Sequence, residues 1–183
     1  MSYGIVQLIN TENIDVTVDL HEASPEYPVI NALIAHERAM NLASNVVVDM
    51  QMEGVQISLE PSPTDLRGLT HRELGDHTDT LALLMEAPNP AQGRLRDRTD
   101  EALVLTGKSE TYVKAGEIGQ LYVPYDENGW PIEVRCARHV FGIERILANY
   151  SEMYEEPIIV TGMPSYDELV KNGMGPYLNE PTT

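Results

Sequence analysis

The sequence predicts an α/β domain with a mixed, mainly parallel sheet flanked by helices. Three observations carry that expectation. Short runs of β-branched and apolar residues alternate with stretches of helical periodicity. Two of the apolar runs, "NIDVTVDL" and "LALLMEAPNP", stop in the same way, at an ionisable residue followed by proline. The chain has 183 residues, enough for one domain with its own core.

In chain order, Tyr3, Ile5, Val6 and Ile9 recur at helical spacing, so "SYGIVQLIN" is expected to be a helix leading into the first strand. Ile14, Val16, Thr17 and Val18 make "NIDVTVDL" a short strand that ends before His21, because "ASPEYP" cannot continue a hydrogen-bonded ladder. "VINALIAH" is either a strand or the start of a helix. "ERAMNLASNVVVDMQMEG" reads as a helix, with Met40, Ala43, Val47 and Met50 on one face and Gly54 as its stop. "VQISLEP" alternates Val55, Ile57 and Leu59 and reads as a strand ended by prolines.

The polar stretch "TDLRGLTHRELGDHTDT" reads as a loop leading into the strand that stops at Glu86. Farther on, "RTDEALVLTG" and "SETYVKAGEIG" read as short helices, and "QLYVPYDENGWP" as a strand with a turn at Asn128-Gly129. A long helix is expected from about Pro131 to Tyr150, with Val134, Ala137, Val140, Phe141, Ile143 and Leu147 as its apolar stripe and His139 beside that stripe in a packing or surface role. This divides the chain into an α/β domain over 1–150 and an acidic extension over 151–183.

Composition narrows the function. Twelve basic residues against 29 acidic ones give a net charge of −17, which repels nucleic-acid backbones and anionic lipid surfaces. No apolar run approaches the roughly 20 residues of a membrane span, and the first residues lack a secretory pattern. A single cysteine, Cys136, allows neither an internal disulfide nor a cysteine-based zinc cluster, so a reduced cytoplasmic setting is expected. The run "RLRDR" could pair a small anion through Arg94 and Arg96 but is too short for a DNA surface.

The chemistry concentrates at two positions. His21 directly follows one strand and Glu86 ends another. In a parallel sheet both would reach the carboxyl edge, where ligands of open α/β folds bind. A histidine there suits a metal ligand or a general base, and equally a capping or surface role. None of the five histidines is followed three residues later by an acid, so the common H-x-x-E ligand pair is missing.

Taken together, "DLHEASPEYP", "GLTHRELGDHT" and "LLMEAPNPAQGRLR" resemble the C-terminal half of the zinc carboxypeptidase superfamily, in its succinylglutamate desuccinylase/aspartoacylase branch. The likeness covers roughly residues 14–93. It implies a zinc-exopeptidase-like fold lacking its N-terminal part, with His21 as a zinc ligand and Glu86 as the catalytic base. It also implies a peptide C-terminus or an N-acyl amino acid as substrate. Arg72 or His77, ahead of the Glu86 strand, would polarise the substrate carbonyl or read its carboxylate, with Arg94 and Arg96 as further candidates. Arg72 and His77 read equally well as members of a salt-bridged loop with Asp65, Glu73, Asp76 and Asp79.

Two departures accompany the likeness. The family's H-x-x-E ligands would have to precede Met1, and Ala87 stands where the deacylase pattern has glycine. Three functional readings follow: a metal-dependent hydrolase of amide bonds, an inactive fragment or degenerate relative acting as a binding or assembly module, and a homo-oligomer that completes the zinc site from another chain.

Overall fold

The structure, a computed structural model, describes residues 3–23, 31–65, 67–88 and 131–178. The helices and strand expected between Arg98 and Pro131, and the candidates Arg94 and Arg96, lie outside the described residues.

The described chain is an α/β fold built on a four-stranded mixed sheet in the order β1-β4-β2-β3. Helix α1 spans Tyr3–Glu12. It turns through Asn13, whose positive φ of 51° is one that asparagine tolerates better than most residues, into β1, Val16–Ala23. Strand β2 is Ala32–Ala35, which resolves the ambiguous "VINALIAH" in favour of a strand. A 3-10 turn at Glu37–Ala39 leads into α2, Met40–Met52. Strand β3 is only Ser58–Pro61, because Val55 and Ile57 are buried ahead of the ladder rather than paired in it.

Helix α3, Thr70–His77, replaces the loop expected from its polar sequence, and strand β4, Leu81–Pro88, follows it. Two of the three strand pairings are parallel, β1 with β4 and β2 with β3, whereas β2 and β4 run antiparallel. Strand β1 runs three residues past its expected stop at Leu20 and β4 two residues past Glu86, so His21 and Glu86 lie inside the ladder, in register with each other.

Alternation along the strands divides the sheet into two unlike faces. Leu33, Ala35, Leu83 and Met85 form one face, packed under Leu42, Val46 and Met50 of α2 and under Phe141, Ile146 and Tyr150 of α4, Ile132–Tyr154. Gly142 brings α4 onto the sheet, since a Cβ there would stand 1.9 Å from the Met85 methyl. The stripe of α4 is centred on Ala137, Phe141, Ile146 and Tyr150, and Val134, Val140 and Leu147 are only half buried. This helix runs past residue 150 to Tyr154. Helix α5, Tyr166–Asn172, packs back on it through the fully buried Leu169 and a Phe141–Tyr166 ring contact at 6.0 Å. Among the described residues no helix is long and apolar enough to cross a membrane.

The opposite face is polar toward the carboxyl ends of β1 and β4. A small apolar cluster of Ile9, Leu74 and Ala82 seats α1 and α3 at its other end.

Candidate functional site

The parallel pairing sets Thr17 beside Ala82, Asp19 beside Leu84 and His21 beside Glu86, all on the polar face. His21 Nδ1 lies 3.8 Å from Glu86 Oε1. The His21 side chain is 50% exposed and that of Glu86 15%, so the pair sits on the polar face with histidine on the solvent side. Glu86 Oε2 is buried and bonds no group among the described residues. Burial of this carboxyl raises its pKa from 4.5 to about 7, because the charged form loses hydration without gaining donors.

Asp19 stands two residues before His21 on the same face, and burial raises its carboxyl above the ordinary range too. The neighbouring His21 charge and a hydrogen bond donated by the His71 backbone N–H offset part of that rise. That bond places a carboxylate at the first turn of α3, where the helix dipole favours negative charge.

His71 is a site residue that the sequence reading passed over. It is 1% exposed, its Nε2 lies 2.9 Å from Ser62 Oγ, and its Nδ1 is buried without a partner among the described residues. Burial first, then the nearby His21 charge, lowers its pKa to about 4, so the ring is neutral at physiological pH. His139 approaches from α4 with its ring facing the His21 backbone carbonyl, and burial lowers its pKa as well. Three of the five histidines thus gather around the end of β1.

Arg72 and His77 are placed differently. The Arg72 guanidinium is buried in α3 and held by two carboxylates. Its Nη1 donates to Glu37 Oε1 at 2.7 Å and to Oε2 at 2.9 Å, and its Nη2 and Nε donate to Asp76 at 2.5 and 3.2 Å. His36 Nε2 lies 3.2 Å from Asp76 Oδ1, and Arg67 donates to Asp76 Oδ2 at 2.8 Å. The Arg72 hydrogen bonds hold Asp76 and Glu37 below the usual carboxylate range. Gly75 admits the His36 ring to this network, since a Cβ there would stand 2.3 Å from it. His77 is exposed and pairs with Glu73 at 3.4 Å, one turn back on the helix. The partners of Arg72 and His77 include Glu73 and Asp76 from the expected salt-bridged set, with Glu37 in addition.

The donors can be tested against the zinc that the resemblance implies. Zinc sites need three or more nitrogen, sulfur or carboxylate donors converging on one point. Among the described residues no group of three histidine, cysteine or acidic side chains does so. All five histidines and Cys136 are described, and of the histidines around the end of β1 only His21 presents an exposed ring. The described donor set does not fit zinc by itself. What it does fit is proton transfer, because a carboxyl with a pKa near 7 beside an accessible imidazole can both accept and return a proton at neutral pH.

No protein-family model, no curated protein and no solved structure matches the chain.

Proposed function

We propose that the His21–Glu86 pair at the ends of β1 and β4 is the proton-transfer part of an amide hydrolase, with Glu86 as the general base and acid. One observation carries this reading: a desolvated carboxyl with a pKa near 7, in register with His21 on the adjacent parallel strand. Glu86 would take a proton from the attacking water and deliver it to the leaving amine, and its near-neutral pKa suits both steps. The half-exposed His21 would line the solvent side and orient the incoming group. The resemblance to zinc carboxypeptidases and deacylases points to a peptide C-terminus or an N-acyl amino acid as substrate, and to a zinc-exopeptidase-like relation of the fold. Zinc dependence would require donors beyond the described ones.

That incomplete donor set favours a second reading, in which the chain is an inactive relative acting as a binding or assembly module. Hydrolysis of C-terminal dipeptides and N-acyl amino acids, measured with and without added zinc, separates the two. Turnover that falls by about two to four orders of magnitude in Glu86→Gln supports the hydrolase. Absence of turnover under all these conditions, in a folded chain, favours the binding module.

A further inference from the structure

The link between α4 and α5 carries an unusual surface. Pro157 and Gly162, the latter with φ +76°, bracket Ile158, Ile159, Val160 and Thr161, whose backbone belongs to neither helix nor sheet. The first three are β-branched and apolar, yet they are 40%, 85% and 43% exposed. Ile158 is tethered through its backbone N–H to Ser151 Oγ at 3.1 Å. Beyond that tether, the backbone groups of Ile159 and Val160 bond to no other protein group among the described residues. A short stretch of exposed β-branched residues with an unpaired backbone is what a strand of another chain can pair with.

Charge identifies the kind of partner. Between residues 146 and 178 five acids, Glu152, Glu155, Glu156, Asp167 and Glu168, face one base, Lys171. All five acids are exposed. A second copy would bring another such set, and another net −17, against this one. A basic partner would gain at the same positions.

We propose that Ile158–Thr161 is a docking segment for an extended stretch of another polypeptide, apolar at alternate residues and basic at its flanks, which adds to it as a β-strand. Backbone pairing supplies the affinity, Ile159 supplies an apolar anchor, and the acidic residues that flank the segment in sequence select against acidic partners.

The test is fluorescence anisotropy with two synthetic peptides of alternating valine and threonine, one flanked by lysines and one by glutamates. The full chain should bind the lysine-flanked peptide saturably and the glutamate-flanked one at least about tenfold more weakly. Ile159→Asp, at a site exposed enough to leave the fold intact, should weaken the lysine peptide by about tenfold or more, whereas Met52→Asp, at the exposed end of α2, should leave it unchanged. Failure of the lysine peptide to bind, equal binding of both peptides, or equal loss in both variants overturns the proposal. Self-association by analytical ultracentrifugation that disappears in Ile159→Asp also overturns it, by giving the segment to a second copy.

Discussion

Two groups of ionisable residues lie close together around α3, and they are built on opposite principles. At the carboxyl end of β1 and β4, Asp19 and Glu86 are half-buried with few donors, and desolvation pushes both carboxyls up. Farther along the same sheet face, Glu60 is pushed up for the same reason. Around Arg72, by contrast, Glu37 and Asp76 are saturated with donors and are held down. The two groups thus differ in both burial and donors: Glu37 and Asp76 are exposed and paired with Arg72, whereas Asp19 and Glu86 are half-buried and poor in donors. The Arg72 network resembles a structural brace, since each acid has found its cation. Asp19 and Glu86 each keep a buried oxygen without a partner among the described residues and carry the cost of burying it, as catalytic sites commonly do.

That contrast predicts opposite signs for removing charge. Glu86 has a folded-state pKa of about 7 against 4.5 ordinarily. The folded chain therefore keeps a proton that the unfolded chain releases. Its stabilising contribution is complete below about pH 4.5 and is lost as the pH rises through about 7. Glu86→Gln should stabilise the fold by roughly 2–3 kcal/mol at pH 8 and by almost nothing at pH 4, read from urea denaturation at the two pH values. A loss of stability at pH 8 would mean that the ionised carboxylate has partners and that the contrast is false.

Arg72→Met should act the other way, costing about 2 kcal/mol at neutral pH, because Glu37 and Asp76, the carboxylates that also hold His36, lose their common partner. The depressed Asp76 contributes stability above its ordinary pKa of 3.8 that fades as the pH falls below it, so acid should loosen this brace while it relieves the His21–Glu86 site. Should Arg72→Met leave the denaturation midpoint unchanged and raise only KM for a carboxylate-bearing substrate, Arg72 belongs to substrate binding as the resemblance implies. His77→Ala is the smallest expected change. It removes one exposed pair with Glu73 and should shift stability by less than about 0.5 kcal/mol, with kcat/KM unaltered.

The His21–Glu86 site was legible in the sequence because β-branched runs interrupted by proline define strands, and two strands with the same ending invite a parallel pairing. The direction of β2 was not legible, since nothing in "NALIAH" distinguishes a parallel from an antiparallel neighbour. Helix α3 was hidden for a more instructive reason. "THRELGDH" offers only Leu74 as an apolar contact, and its buried face is polar. His71 packs on Ser62, Arg72 pairs across to Glu37, and Asp19 holds the first turn. The Arg38 guanidinium bonds the carbonyls of Gly75 and Thr78 at the far end. Every one of those partners is distant in sequence, so periodicity could not reveal the helix or single out His71 from the more exposed His77. On α4, Ile146 and Tyr150 were missed because the expected stripe took in Val134, Val140, Ile143 and Leu147, which are only half buried, in their place.

The central claim is that Glu86 is a desolvated carboxyl able to gain and lose a proton near neutrality. A carbon-detected NMR titration of the glutamate side-chain carboxyls, with the Glu86 resonance assigned by its disappearance in Glu86→Gln, measures this directly. The predicted midpoint is about 7, well separated from the other glutamates. A midpoint near 4.5 would contradict the account, because a carboxyl of ordinary pKa is a weaker base toward the attacking water and holds no proton near neutrality.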